Sequence, residues 1–220
     1  MKAMKRILLC ILMIMVLGGV SIAGNSVVKS ETTTRENQRT SITKEERKEW
    51  DAPDQEVLDY YGLGEFRTTL PVIYMNTKGQ QVLKENVIMG NLAVLEANGK
   101  DQSIYSVPNS LHRAAIKYRG ASSYTQFDKK QYRIKFLKDQ KEKAKDVSLV
   151  GMGENSEWVL NAPYLDKTLI RNKLVYDLAR ELNGWAPDSR FVELFTDGKY
   201  QGVYLAVEPV TNGASRLRLG

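Results

Sequence analysis

The segment Tyr132-Arg133-Ile134-Lys135-Phe136 decides the fold class, because apolar and cationic residues alternate along it without interruption. Successive side chains of a β-strand point to opposite faces of a sheet, so Tyr132, Ile134 and Phe136 share one face. Arg133 and Lys135 share the other face. We therefore predict a strand with one apolar face turned to a core and one cationic face.

Further strands are predicted on both sides of this segment, from short apolar runs that end in turn residues. They cover Leu70–Met75, Asn86–Leu95, Ser103–Val107, Ala114–Arg119 and Trp158–Ala162. A hairpin is predicted near the end of the chain, where Phe191–Thr196 and Lys199–Val207 flank the dipeptide Asp197-Gly198. This dipeptide tolerates the two positive φ angles of a type I′ turn.

One helix is predicted before the hairpin, because apolar residues recur there at three- and four-residue spacing. These residues are Ile170, Leu174, Val175, Leu178 and Leu182. Asp166 or Thr168 can cap the start of the helix, and Asn183-Gly184 can end it. Strands, one long helix and a final hairpin predict an α+β fold that is mainly antiparallel β-structure.

The composition is that of an ordinary globular protein, with 220 residues, 42% hydrophobic and 26% charged. It excludes a mostly disordered, collagenous or multi-span membrane chain. A single cysteine excludes an intramolecular disulfide framework and a Cys-rich zinc site, and a single histidine argues against a His-based catalytic triad.

Residues 1–23 are typical of a secretory signal peptide. Lys2, Lys5 and Arg6 precede the apolar run Ile7–Val20, and Ser21-Ile22-Ala23 fits the small-x-small cleavage pattern. An uncleaved signal anchor is the alternative, in which case this segment alone contacts the membrane. We expect an exported chain, either secreted, on the cell surface or in a spore coat. Residues 24–68 are polar and predict a linker with short helices at most.

The net charge of +6, from 32 basic and 26 acidic residues, is concentrated in one segment. Between Lys129 and Lys145 eight basic residues face only two acidic ones. Since the mature chain is otherwise not basic, we expect no nucleic-acid partner.

A candidate anion site is the loop Arg119-Gly120-Ala121-Ser122-Ser123. Backbone N–H groups of such a loop can cup an anion, and serine hydroxyls add donors. A polar β-turn is the alternative. Arg133 and Lys135, held on one strand face, also suit a phosphate group. The alternative interpretation is a sheet face that is simply exposed to solvent.

Four segments together resemble the CotH family, the spore-coat protein H type of atypical protein kinase. They are Leu70–Tyr74; Tyr118–Ser123 with Lys129–Phe136; Trp158–Asp166 with Leu169–Asn172; and Asp197–Glu208. The resemblance implies the N-terminal part of a reduced kinase-like fold that binds ATP and Mg²⁺. It also implies a phosphotransferase that modifies serine in secreted or spore-coat protein substrates.

The resemblance assigns roles to the candidate residues. Gly120, Ser122 and Ser123 would cover the phosphates of ATP, next to Arg119. The positive charges at positions 133 and 135 would neutralise those phosphates. Glu208 would lie near the adenine, at the end of the last strand.

One departure from the family pattern concerns catalysis. The family carries its catalytic and metal-binding aspartates in a second lobe, and this chain stops at Gly220. We therefore expect residues 69–220 to be the N-terminal portion of a CotH-like kinase domain, inactive alone, with no catalytic or metal residue of its own. The alternatives are a non-catalytic module that binds a nucleotide or a protein, and an exported structural protein of the surface or spore coat.

Overall fold

The computed structural model describes residues 66–138, 142–211 and 216. The predicted signal peptide and almost all of the predicted linker lie outside these residues. Among the residues described, no helix combines the length and the apolar character that a membrane crossing requires.

The described residues form nine strands and two helices. The strands are β1 (Arg67–Thr68), β2 (Val72–Asn76), β3 (Ile88–Leu95), β4 (Gln102–Ser103), β5 (Ser110–Arg119), β6 (Gln131–Phe136), β7 (Glu157–Asn161), β8 (Ser189–Thr196) and β9 (Lys199–Val207). The helices are α1 (Ser122–Gln126) and α2 (Arg171–Asn183).

Seven of the strands close into a barrel in the order β2-β3-β5-β6-β7-β9-β8. Neighbours pair antiparallel except at the closing seam, where β2 runs parallel to β8 with Val72 opposite Glu193. The remaining strands, β1 and β4, form a separate antiparallel pair. A closed sheet has no free edge along its length, so every barrel strand has a partner on both sides.

The larger apolar core fills the inside of the barrel. It includes Ile73, Leu92, Ile116, Ile134, Phe136, Trp158, Leu160, Val192, Leu194 and Tyr204, all buried. On β6 the apolar residues point inward and Arg133 and Lys135 point outward, so the predicted alternation is confirmed. Fully burying an aliphatic side chain of this size stabilises a fold by about 1.5–3 kcal/mol.

A second apolar cluster lies on the outside of β2, β3 and β8. It consists of Val72, Tyr74, Ala93, Leu95, Ile104 and Phe195. Tyr74 donates its hydroxyl hydrogen to the carbonyl of Ile104 in the segment that covers this face. The outer face of β5 and β6 has no such cluster and carries charged side chains instead.

The predicted hairpin turn is confirmed. Asp197 and Gly198 have φ angles of 49° and 77° between β8 and β9, as a type I′ turn requires. The Asp197 carboxylate also accepts hydrogen bonds from the backbone N–H of Thr77 at 2.7 Å and from its hydroxyl at 2.6 Å. The hairpin is therefore fastened to the end of β2.

The predicted α+β fold, resembling the N-terminal part of a reduced kinase-like fold with one long helix, is wrong. The chain is mostly β, and its sheet closes on itself. A helix does occupy the predicted segment and ends at Gly184, whose φ is 72°. In an α+β fold a helix covers one face of an open sheet. Here closure buries the inner face without a helix, and α2 has no buried residue.

Candidate functional site

The outer face of β5 and β6 carries a row of cations. The register places Lys117 opposite Arg133 and Ala115 opposite Lys135. Arg119, two positions further along β5, donates a hydrogen bond to the Gln131 side chain at 2.8 Å. The structure therefore brings two predicted residues, Arg133 and Lys135, next to a third cation that the prediction did not include.

One carboxylate opposes these cations. Glu157, the first residue of β7, lies 2.5 Å from Arg133 Nη2 and 4.0 Å from Lys135 Nζ. Lys117 forms no ion pair within the part of the chain that the structure describes. Three positive charges facing one negative charge leave the surface attractive to an anion. The side chains of Arg133 and Lys135 are about half exposed, so these ion pairs contribute little to stability.

These residues line an open pocket of about 180 Å³, which we call the cationic pocket. Its lining consists of Val87, Ala115, Lys117, Arg133, Lys135 and Glu157. Pockets that hold a whole drug-sized ligand measure roughly 300–1,000 Å³. The cationic pocket has the size and charge for a phosphate group, and a nucleoside attached to that group would extend beyond it.

The predicted serine loop, Gly120–Ser123, follows β5. Gly120 has a φ of 108°, and a Cβ at this position would lie 2.1 Å from Ser123 Oγ. The loop leads into α1, a single short helix in which the Thr125 hydroxyl donates to the Ser122 carbonyl at 3.1 Å. Only glycine combines the positive φ with the close approach of Ser123.

Two lysines after the loop make buried or half-buried contacts with α1 and β9. Lys130 Nζ donates to the carbonyls of Tyr124 and Phe127 at 2.7 and 2.6 Å. Lys129 Nζ donates to the carbonyl of Val203 on β9 at 2.7 Å and lies over the Tyr204 ring. Burial lowers the pKa of Lys129 below its usual value. Lys130 therefore fastens the end of α1, and Lys129 fastens the start of β6 to β9, which the sequence did not predict.

The serine loop and the cationic pocket lie at different levels along β5 and β6. Lys135 pairs with Ala115, four strand positions from Arg119. At about 3.3 Å per residue this separates the levels of Lys135 and the loop by roughly 13 Å. Lys117 and Arg133 lie between them. A single phosphate group cannot contact both Lys135 and Ser123, whereas a chain of phosphates along the cationic row can approach both.

Glu208, the predicted adenine-side residue, is engaged elsewhere. Its Oε2 accepts a hydrogen bond from the backbone N–H of Asp188 at 2.9 Å. Its Oε1 lies 3.2 Å from Arg216, whose guanidinium stacks 4.5 Å from the Trp158 ring. The Glu208 side chain is 5% exposed. Both oxygens are thus occupied by the protein, and the buried ion pair lies next to Trp158.

The implied Mg²⁺ does not fit the residues around the cationic pocket. In the described ranges, no group of three or more His, Cys, Asp or Glu side chains is arranged to hold a metal ion. Glu157 is the carboxylate at the pocket, and it is paired with two cations. Magnesium is usually held by one or two carboxylates together with substrate phosphates.

Residues 116–219 match the family model described as CotH kinase protein. Three of the four segments lie within these residues, and Leu70–Tyr74 precedes them. The resemblance to the CotH family is thereby confirmed for this segment of the chain. It contains both the serine loop and every charged residue of the cationic pocket.

A curated relative gives the same assignment. Over 96 residues the chain is 36% identical to inner spore coat protein H of Bacillus subtilis (strain 168). The match covers 43% of this chain and 23% of that protein. The chain therefore spans about a quarter of the length of the relative.

Proposed function

We propose that the chain is a CotH-type spore-coat protein whose cationic pocket binds the phosphates of ATP for phosphorylation of serine in coat proteins. The observation that carries the proposal is the pocket itself, which Lys117, Arg133 and Lys135 line together with one carboxylate, Glu157, within the segment that matches the CotH family. The name of the curated relative supports the location, and the family description supports the activity. Export through residues 1–23 belongs to the same proposal.

The three cations have distinct roles in this proposal. Lys117 and Lys135 are compact point charges that bind single phosphate oxygens, while Arg133 can donate two parallel hydrogen bonds to one phosphate. Glu157 holds Arg133 and Lys135 in place when no anion is bound. ATP supplies the phosphoryl group when bound, and the pocket neutralises charge on it, which is a large part of phosphoryl-transfer catalysis.

A non-catalytic anion- or nucleotide-binding module is the second candidate. It is favoured by the small volume of the pocket and by the lack of a metal-binding carboxylate group among the residues described. The two candidates differ in one measurable respect, which is phosphate transfer to an acceptor.

The proposal is tested with the full chain, Mg²⁺ and ATP. Lys117→Ala and Lys135→Ala should each weaken ATP binding by about tenfold or more, since a hydrogen bond to a charged group contributes roughly 1.5–3 kcal/mol and 1.4 kcal/mol is tenfold. Glu157→Gln should strengthen binding, because it removes the opposing carboxylate. Lys100→Ala, an exposed lysine outside the pocket, is the matched control and should leave binding unchanged.

Equilibrium dialysis measures the binding, and transfer of radiolabelled phosphate to dephosphorylated casein measures the activity. Unchanged ATP binding in both lysine variants would remove the pocket from the proposal. Binding that depends on the lysines, without transfer, is the result expected if residues 69–220 are inactive alone, and it would favour the non-catalytic module for this chain. Inorganic triphosphate should compete with ATP, whereas adenosine should not.

A further inference from the structure

Helix α2 exposes its apolar residues instead of burying them. The exposed fractions are 51% for Ile170, 61% for Leu174, 61% for Val175, 51% for Leu178 and 74% for Leu182. We call these five residues the α2 stripe. Single exposed apolar residues are common on protein surfaces, but contiguous patches of several hundred Å² mark interaction surfaces. The side chain of Leu165, just before the helix, is also 71% exposed.

The orientation of α2 is fixed by polar contacts at its two ends. At the start, Asp166 accepts a hydrogen bond from the backbone N–H of Arg171 at 2.9 Å. At the end, Arg180 donates to the carbonyl of Ala186 at 2.7 Å and lies 3.8 Å from Asp188. Both ends of α2 are thus held by the segments that precede and follow it, and the α2 stripe is turned to solvent.

Two charged residues lie within the stripe. Counting about 100° per residue around the helix axis, the stripe covers a sector of about 140°, and Arg171 and Glu181 fall inside it. The Arg171 side chain is 78% exposed, and its Nε lies 3.6 Å from Asp166. Glu181 is exposed and forms no ion pair with any other residue in the described ranges.

Four of the five stripe residues are placed symmetrically along the helix about the level of Tyr176; Val175 is the exception, because its counterpart is Asp177. Ile170 and Leu182 lie six positions on either side of this residue, and Leu174 and Leu178 lie two positions on either side. Arg171 and Glu181 lie five positions on either side, with opposite charges. When two such helices pack antiparallel about a two-fold axis, each member of a symmetric pair meets its counterpart on the other helix.

Antiparallel packing therefore satisfies both the apolar and the charged residues. Leucine faces leucine at the centre, and Arg171 of each helix faces Glu181 of the other at both ends. Parallel packing would instead place arginine against arginine and glutamate against glutamate, and like charges in contact disfavour a complex. At 1.5 Å per residue the like charges of the antiparallel pair are about 15 Å apart along the axis.

We propose that α2 is a homodimer interface, in which the stripe packs antiparallel on the same stripe of a second copy of the chain. The charge complementarity of Arg171 and Glu181 selects this occupant, because an unrelated apolar partner would not need the two-fold arrangement of opposite charges. The five stripe residues and Leu165 expose on the order of 600 Å², near the lower limit for one side of a stable interface. The dimer is independent of the cationic pocket.

A charge-reversal experiment with the full chain tests the two-fold arrangement. Arg171→Glu and Glu181→Arg should each raise the dissociation constant of the dimer by about tenfold, because each places two pairs of like charges in contact. An equimolar mixture of the two variants should form a heterodimer with near wild-type affinity, since both pairs are opposite in charge again. Sedimentation equilibrium measures all three constants.

A matched control and a core variant complete the test. Asn172→Glu changes the charge in the same helical turn, but on the opposite side of the helix, and should leave the constant unchanged. Leu178→Asp should abolish the dimer while the thermal unfolding of the chain stays cooperative, because this side chain is not part of the barrel core.

Three results would overturn the proposal. The first is a wild-type chain that stays monomeric up to about 100 µM. The second is a dimer that survives Leu178→Asp. The third is a mixture of the charge variants that associates no better than each variant alone, which would point to a different partner for the stripe.

Discussion

Strand β6 and helix α2 are both amphipathic, and they place their apolar faces in opposite surroundings. Tyr132, Ile134 and Phe136 of β6 are at most 4% exposed, inside the barrel. The five residues of the α2 stripe are at least 51% exposed. The hydrophobic effect favours removal of both faces from water. A closed barrel fills its interior with its own side chains, so it leaves no inner face for a helix to cover.

The apolar residues of β6 and of α2 have different effects. Those of β6 stabilise the folded monomer, whereas those of α2 are available for association. Substitutions in the two elements should therefore affect different measurements, and four predictions test this, from the largest expected effect on stability to the smallest.

Ile134→Ala should reduce the free energy of unfolding by about 2–5 kcal/mol, because Ile134 is fully buried and the barrel cannot collapse around the cavity. Urea denaturation followed by tryptophan fluorescence measures the loss. A loss below about 1 kcal/mol would mean that the barrel interior is not the stabilising core, and the contrast with α2 would disappear.

Gly120→Ala should cost about 1–3 kcal/mol, because alanine must adopt a φ of 108° and its Cβ would contact Ser123 Oγ. The same denaturation experiment applies. Gly120→Ala combined with Ser123→Ala removes the contact but keeps the unfavourable φ, so it should recover only part of the loss. Full recovery would show that the backbone conformation is not strained.

Asp166→Ala should cause a smaller loss that depends on pH. The hydrogen bond from the Thr168 hydroxyl, together with backbone N–H donors, lowers the pKa of the Asp166 carboxyl. A lowered folded-state pKa contributes stability above the unfolded value of about 3.9, and the contribution disappears as pH falls through the folded value. The difference in urea midpoint between wild type and variant should therefore be largest near pH 7 and shrink toward pH 2. A difference independent of pH would contradict this cause.

Leu178→Ala should change the free energy of unfolding of the monomer by less than about 0.5 kcal/mol, since the side chain is half exposed and alanine is a good helix former. The measurement is made at protein concentrations below the dimer dissociation constant. A loss similar to that of Ile134→Ala would show that α2 packs on the barrel in solution.

Local structure could be predicted from the sequence. The alternation in β6, the turn at Asp197-Gly198 and the end of α2 at Gly184 are confirmed, because each depends on residues within a few positions of one another. The fold class could not be predicted. It depends on the pairing of β2 with β8, which joins residues about 120 positions apart. Strand patterns look the same in an open sheet and in a barrel.

Of the candidate site, too, only the part that depends on neighbouring residues could be predicted. Arg133 and Lys135 were placed on one strand face by alternation alone. Lys117 shares the period-two spacing with Arg119 on β5, so this pattern could have identified it. Glu157 could not have been found, because its place beside Lys135 comes from the register between β6 and β7. The contact of Glu208 with Arg216 also required the folded chain.

The sequence by itself determined most of the strand segments, where the hairpin turns, that a helix ends at Gly184, and that the chain resembles the CotH family; the predicted strand Ser103–Val107 is wrong, since the chain turns after Ser103. Tertiary structure decided that the sheet closes, that three cations and one carboxylate line one pocket, and that the apolar side of α2 faces solvent. The physical reason is that propensity and periodicity act over a few residues. Closure, register and burial depend on which distant strands meet, and that is settled by the free energy of the whole packed core.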